Sequence, residues 1–559
     1  MNVLLVAVNS KYTHTSLSVR TLSRNAYDVP FAEFTINEKI DYIISEVCKK
    51  APDVVCFSCY IWNIEIIKKV ASSVKKIIPV SKIVFGGPEV SYTPTEILSE
   101  CGFVDAVICG EGEITFRKLV ESNFCFEGTD GVVYRHGNNI TVNSPAKLIE
   151  NLDELIFPYT EEDLKENSGK LIYYESSRGC PYNCSYCISS TIHSLRFKSI
   201  DKVKEELMIL IKHKPKTIKF VDRTFNADNK RTCELIRFMT EQGVGVVFHF
   251  EIAAHTLSDE FIELIKNAPE GMFRLEIGLQ STNPETIKAI NRVTDFEKLS
   301  LNVKKLVECK KAHIHLDLIA GLPYEDMESF KNSFNDAMRL KPDVLQLGFL
   351  KMLKGTEIRG DKEKYSYSFS DYPPYEVISN NFMSYSDISF LKKIDETVDK
   401  IYNSGAFSNM LSFLETKFGS YFEMYSYISE VLEKSNFFDI SLSRNSVYEI
   451  LAGVLSSVDK RALDLLKYDY FLNTKNASTP LWSAQKYDVQ IHKKRLQIIE
   501  FYRDSLFLKF SGMNIHEILK KVHFERFSYD VLGNRREKDI IIVFENNGSV
   551  LGEIKPELL

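Results

Sequence analysis

Over the first 125 or so positions, apolar residues gather in short dense runs: Val3 to Val8, Phe31 to Ile36, Val54 to Tyr60, Ile83 to Phe85 and Val104 to Cys109. Between several of them the apolar positions recur at helical spacing instead. Runs of this length, rich in β-branched residues and flanked by polar ones, predict strands buried on both faces, and strands alternating with amphipathic helices predict a doubly wound, Rossmann-like parallel sheet over residues 1–128. Such sheets take ligands beyond the carboxyl ends of their strands. The polar and glycine-rich segments fall there: Asn9-Ser10-Lys11-Tyr12-Thr13-His14, Gly86-Gly87-Pro88-Glu89 and Gly110-Glu111-Gly112-Glu113, with Ser58, Tyr60 and Asn63 also near the ligand edge.

Turn residues mark a hairpin and connector over 129–170, through Asp130-Gly131, Asn138-Asn139 and the stretch Asn151 to Pro158. From Leu171 a second series begins, with strands near 171–177, 216–221, 245–252, 273–278, 314–319 and 344–349, and helical patterns such as Asp201 to His213 and Glu325 to Leu340 between them. Six strands in this rhythm predict a partial, TIM-like (β/α)6 barrel over 171–360, whose chemistry belongs at the strand ends. Residues 361–559 are expected to form a mainly helical, aromatic-rich domain. Its patterns include Phe382 to Ser404 and Ile491 to Phe510, with a terminal hairpin at Asp539 to Phe544, the turn Asn546-Asn547-Gly548, and Val550 to Ile554.

Composition adds mostly exclusions. Hydrophobic residues make up 44% and charged residues 26%, ordinary for a globular chain, and a formal charge of -6 supplies no broad basic field, so nucleic acid is disfavoured as a partner. No apolar run approaches the roughly 20 residues needed to cross a bilayer, and the opening segment lacks the pattern of a secretion signal, so a soluble cytoplasmic protein is expected. All 11 cysteines lie between Cys48 and Cys309, scattered apart from one tight trio. In a reducing compartment such a trio points to a metal site rather than a disulfide framework. Cys56 and Cys59 stand as a C-x-x-C pair, but three residues apart on a strand they face opposite sides and are expected to serve packing.

The trio is Cys180-Pro181-Tyr182-Asn183-Cys184-Ser185-Tyr186-Cys187, a C-x-x-x-C-x-x-C spacing that directly follows the first barrel strand. Thiolates are the usual ligands of iron-sulfur clusters, and three of them on a four-iron cube leave one iron open to chelate an amine and a carboxylate. A structural zinc site would need a fourth ligand, for which His193 is the nearby candidate, and the spacing matches no common finger.

On these residues the chain resembles the radical S-adenosylmethionine superfamily, whose signature is C-x-x-x-C-x-aromatic-C, with Tyr186 in the aromatic place. The resemblance, over roughly 171–355, implies a 4Fe-4S cluster on Cys180, Cys184 and Cys187 as the catalytic centre. It also implies S-adenosylmethionine on the open iron, reductive cleavage to a 5'-deoxyadenosyl radical, and a reductase of flavodoxin or ferredoxin type to supply the electron. Further strand ends carry family-like segments. Asp222 and Arg223 stand where the methionyl amine is bound, Glu251 ends the third strand, and Arg274 to Ser281 resembles the fourth-strand motif. There Glu276, Gln280 and Ser281 are candidates for touching the cofactor, with Arg292 to pair its carboxylate. The segment Asp317 to Pro323 resembles the one that lies under the adenine.

A doubly wound domain ahead of such a barrel resembles the cobalamin-binding subgroup, which implies a corrinoid held at Ser10, His14, Ser58, Tyr60, Gly86, Gly87, Glu111, Gly112 and Glu113. None of the 11 histidines has Asp two residues before it, so the Asp-x-His-x-x-Gly cobalt-ligating motif is missing, and His14 is either a cobalt ligand or a hydrogen-bonding group. Asn9 to Thr15, Tyr60-Ile61-Trp62-Asn63 and the helical tail resemble a bacterial subgroup ending in a domain of unknown function. The implied activity is methylation of an unactivated carbon. A radical rearrangement, cyclisation or cleavage without methyl transfer is one alternative, and a cofactor-binding sensor or carrier is another. The substrate is not encoded in any motif.

Overall fold

A computed structural model of the chain describes residues 1–192, 194–440, 442–483, 489–533 and 536–554, so His193 lies outside the described residues. Two compact units are formed, Met1–Asp343 with Leu347–Ile388, and Val344–Gln346 with Ser389–Leu559.

The first unit opens with β1 (Val3–Asn9), β2 (Phe31–Thr35), β3 (Val54–Ser58), β4 (Lys82–Gly86) and β5 (Ala106–Ile108). They pair in the order β2-β1-β3-β4-β5, all parallel. Buried Val, Ile and Phe on both faces explain why these runs do not alternate: one set of side chains packs on the helices of one side, the second on the other. Cys59 belongs to one of these cores and Cys56 to the other, so the two thiols diverge. The strand order reverses between β1 and β3, and that crevice is where a sheet of this order binds its ligand. The hairpin β6 (Val132–His136) and β7 (Asn139–Val142) adds antiparallel to β5 and completes a seven-stranded sheet.

The barrel comprises β8 (Leu171–Tyr174), β11 (Thr217–Phe220), β12 (Val247–Ile252), β13 (Phe273–Gln280), β14 (Ala312–Ala320) and β15 (Val344–Phe349), each beside its predecessor. The first strand is shorter than the sequence predicts. It stops at Tyr174, and Ser177–Arg178 instead form β9, antiparallel to β10 (Arg196–Phe197), a small ribbon flanking the cysteine loop. Along β12, β13 and β14 burial alternates residue by residue, so one face packs on helices and the other faces the lumen. Phe220, Phe248, Phe250 and Phe273 are buried on the helix side, with Phe225 stacked on Phe250 at 4.1 Å between centroids. Each following helix starts on a side-chain cap: Ser199, Asp228, Ser258, Asp295 and Asp326 all accept a backbone N–H of the first turn. A cap of this kind contributes about 1 kcal/mol and sets where each strand end stops and each helix begins.

The first unit ends with a short antiparallel pair, β16 (Ser368–Phe369) and β17 (Val377–Ser379); in the second unit helices dominate, but β18 (Val522–Tyr529), β19 (Glu537–Glu545) and β20 (Val550–Ile554) form a three-stranded antiparallel sheet. The predicted hairpin is β19 and β20. The partner strand β18 escaped the sequence reading because Glu525 and Arg526 interrupt its apolar positions; Glu525 is in fact buried, held by Lys467 at 2.6 Å. Among the described residues, no helix is long and apolar enough to cross a membrane.

Candidate active site

The cysteine loop begins at Gly179, whose φ of +99° and whose approach to Ser194 exclude a side chain: a Cβ there would stand 1.6 Å from the Ser194 carbonyl oxygen. Its backbone is then pinned at the centre. Ser185 donates its N–H to the Ile290 carbonyl at 2.9 Å and accepts from the Ile358 N–H at 3.0 Å. Cys184 is buried, Cys180 and Cys187 half-buried, and all three thiols are free. Cys180 Sγ lies 3.5 Å from the Thr224 hydroxyl at the end of β11. Arg292 reaches the loop from beyond β13, donating to Tyr186 Oη at 3.2 Å and to Cys184 Sγ at 3.8 Å. Burial raises the Cys184 thiol above its ordinary value, only partly opposed by the Arg292 guanidinium beside it.

Among the described residues no three His, Cys, Asp or Glu side chains are placed to hold a single metal ion. A four-iron cube takes each of three thiolates on a different iron. Beside the cysteine loop, among the described residues, two buried polar atoms are left without a partner: Gln280 Oε1 and Arg292 Nε. Gln280 holds the left-handed φ of +69° at a bulge where β13 slips register against β14. Strain of this sort costs of order 1–3 kcal/mol and gathers where a ligand must be met. The three cysteines with Arg292 and Gln280 would suit an iron-sulfur cluster and S-adenosylmethionine.

Other candidates are committed elsewhere. Asp222 is fully buried and accepts from the Ser176 N–H and from the hydroxyls of Ser176 and Ser177 at 2.6–2.8 Å, holding the β8–β9 corner. Ser281 is buried and donates to Glu325 at 2.6 Å. Arg223 is exposed at the mouth, close enough to lower the pKa of half-buried Glu251 against the effect of burial. Glu276 accepts from Lys219 at 3.0 Å and hydrogen-bonds His249 at 2.9 Å, and the His249 bond, followed by Lys219, holds its pKa down at about 2.

At the crevice of the first sheet, Tyr60 stacks on Trp62 at 4.3 Å and Ser58 hydrogen-bonds Ser18 at 3.0 Å. His14 hydrogen-bonds Tyr173 of β8 at 3.1 Å and lies 3.4 Å from the Ser10 hydroxyl. The loop glycines serve the fold: a Cβ on Gly87, at φ +110°, would come 2.5 Å from the Cys59 carbonyl oxygen, and one on Gly112 would press Leu22 at 3.3 Å, whereas Gly86 has ordinary room. Close backbone packing by itself requires glycine at position 87. Glu111 and Glu113 point across to the ribbon beside the cysteines. Arg196 bonds Glu111 at 2.6 Å and Arg178 bonds Glu113 at 2.7 Å. Sequence reasoning missed these arginines, and also Lys354 and Tyr375, which both engage the buried Glu89 carboxylate at 3.1 and 2.5 Å. Nothing in the local pattern marks them, since each is paired across more than 60 positions. The crevice keeps polar groups and a stacked aromatic pair at a switch point, which fits a planar cofactor with polar edges.

Comparison with known proteins agrees with this geometry. Residues 4–120 match the B12 binding domain, 174–337 the radical SAM superfamily, and 363–544 a domain described as a protein of unknown function, DUF4080. An uncharacterized methyltransferase, PH0819 of Pyrococcus horikoshii, is 26% identical over 60% of this chain and 75% of its own. The 2-(S-pantetheinyl)-carbapenam-3-carboxylate methyltransferase of Streptantibioticus cattleyicolor is 27% identical over 51% of this chain, which spans only 45% of that relative. Among solved structures, the radical S-adenosylmethionine methyltransferase TsrM of Kitasatospora setae, with cobalamin and a 4Fe-4S cluster bound, shares the fold at a TM-score of 0.56 and 14% identity over 67% of this chain and 78% of that one. The chain therefore joins a B12 binding domain, a radical S-adenosylmethionine domain and a C-terminal DUF4080 domain in that order, and methyltransferases are among its relatives.

Proposed function

We propose that the enzyme methylates an unactivated carbon by radical chemistry, with both cofactors gathered at the junction between the first sheet and the barrel. When bound, the cluster with S-adenosylmethionine supplies a 5'-deoxyadenosyl radical that removes hydrogen from the substrate, and the corrinoid supplies the methyl group. The observation that carries this reading is the tie between the two sites. Arg178, the residue two before Cys180, is bonded to Glu113 and Glu175, and its neighbour in the ribbon, Arg196, to Glu111. A cluster loop anchored on the corrinoid domain holds the two reactive centres at a constant spacing, which a carbon between them needs.

The roles of individual residues follow from their places. Cys180, Cys184 and Cys187 would ligate three irons, Arg292 and Tyr186 orient the loop, and Gln280 offers an unpaired amide oxygen to the cofactor. His14, Ser10, Ser58 and Tyr60 would line the corrinoid crevice. The electron comes from a reduced protein of flavodoxin or ferredoxin type, and eleven free thiols suit a reducing cytoplasm. Anaerobically reconstituted enzyme with a reductant should release 5'-deoxyadenosine and move label from methyl-labelled S-adenosylmethionine into product. Release no greater than that of Cys184→Ala would defeat the proposal; release without labelled product would favour rearrangement or cleavage.

A further inference from the structure

The barrel lumen carries a set of ionisable side chains, not all of which find a partner among the described residues. Register places Lys219 of β11 beside His249 of β12, Glu251 beside Glu276 of β13, Glu276 beside His315 of β14, and Gly278 beside Asp317. All six charged or imidazole groups occupy the half-buried alternate positions opposite the phenylalanine core. That they share a concave face is shown by Lys219, which bonds Glu276 two strands away, while His249 of the intervening strand bonds the same oxygen. A lumen filled by hydrocarbon would leave these groups costly, since an unpaired buried polar group loses about 1–3 kcal/mol, so whatever fills it must be polar. Two such atoms stand out, Asp317 Oδ1 and His315 Nε2, both buried without a partner among the described residues.

The sign of the missing partner follows from the charges already spent. Lys219 is bonded to Glu276. Arg292 is engaged by Cys184, Tyr186 and the Gly278 carbonyl. Arg223 stands exposed at the mouth beside Glu251. Burial and their neighbours keep His313 and His315 uncharged, the latter down at about 4. Asp317 is left facing Glu276 and Glu251 with no cation of its own, and burial followed by these two carboxylates lifts it to about 7.

We propose that the lumen holds the methyl-accepting substrate, and that this substrate is a small polar molecule whose protonated nitrogen, an amine or guanidine, binds Asp317 while His315 takes a further hydrogen bond. The proposal rests on the methyltransferase reading, since it assigns that reaction a substrate class, and it sets lipids aside.

Equilibrium dialysis of labelled agmatine, valerate and pentanol against the anaerobically reconstituted full-length enzyme tests it without turnover. Agmatine should bind, valerate and pentanol should not, and Asp317→Asn should weaken agmatine about ten-fold, the loss expected for one charged hydrogen bond. Iron content and cluster absorption show that the variant is folded; if they fall, His315→Gln carries the same comparison. Binding of pentanol or valerate as tight as agmatine overturns the proposal. So does agmatine binding that both variants leave unchanged, or a variant that weakens S-adenosylmethionine alone, which would give the carboxyl to the cofactor. Failure of 5'-deoxyadenosine release would instead sink the methyltransferase reading, because the dialysis needs no catalysis.

Discussion

Burial holds Glu325 protonated up to about pH 7, since only the Ser281 and Ser333 hydroxyls serve its Oε1 and nothing serves Oε2. A carboxyl whose pKa rises on folding binds its proton more tightly in the folded state. Its stabilisation is complete below the ordinary value of 4.5 and is lost as pH climbs through about 7. The span corresponds to about 3 kcal/mol, so urea melts of Glu325→Gln should show a stability profile flatter by that order between pH 5 and pH 8. An unchanged slope would place the group in contact with water. Gly179 makes a sharper prediction. With a Ser194 carbonyl 1.6 Å from any Cβ and a left-handed φ, Gly179→Ala must displace the loop, and iron bound after reconstitution should fall below half of wild type while the second unit keeps its melting temperature.

Among the elements, the β9–β10 ribbon does the joining. Arg178 and Arg196 are largely buried, and so are Glu111 and Glu113, so each ion pair is shielded from water and salt. Removing one partner strands the other charge, which typically costs 3–5 kcal/mol. Arg178→Met should therefore lower the melting temperature markedly. The double variant Arg178→Met with Glu113→Leu should recover part of the loss in a thermal melt, Glu175 staying without its cation; no recovery would assign the effect to packing alone. On the helix side of the barrel, Phe250→Ala should cost about 3–5 kcal/mol in denaturant titration, because Phe220, Phe225 and Phe273 all pack on that ring.

For the whole molecule the two compact units predict two calorimetric transitions, since few-domain chains seldom unfold as one. Cluster loading and S-adenosylmethionine bind the native first unit only, so they should raise its transition by mass action and leave the other where it is. A single transition that shifts as one body would show the units to be thermodynamically coupled.

The division of strands from helices, the doubly wound rhythm and the cysteine spacing were legible along the chain because each is a short-range property: side-chain period, turn chemistry and ligand spacing act over a few residues. The C-x-x-x-C-x-aromatic-C run was enough to name the cluster. What the chain order alone did not decide was which polar residues face each other. Glu111 and Glu113 meet Arg196 and Arg178, Ser281 meets Glu325, and Ser176 and Ser177 surround Asp222, contacts that no local pattern announces. The ionisable lumen likewise arises only when β11, β12, β13 and β14 lie side by side, for a carboxylate's charge state depends on groups a few ångströms away in space and tens of positions away in sequence.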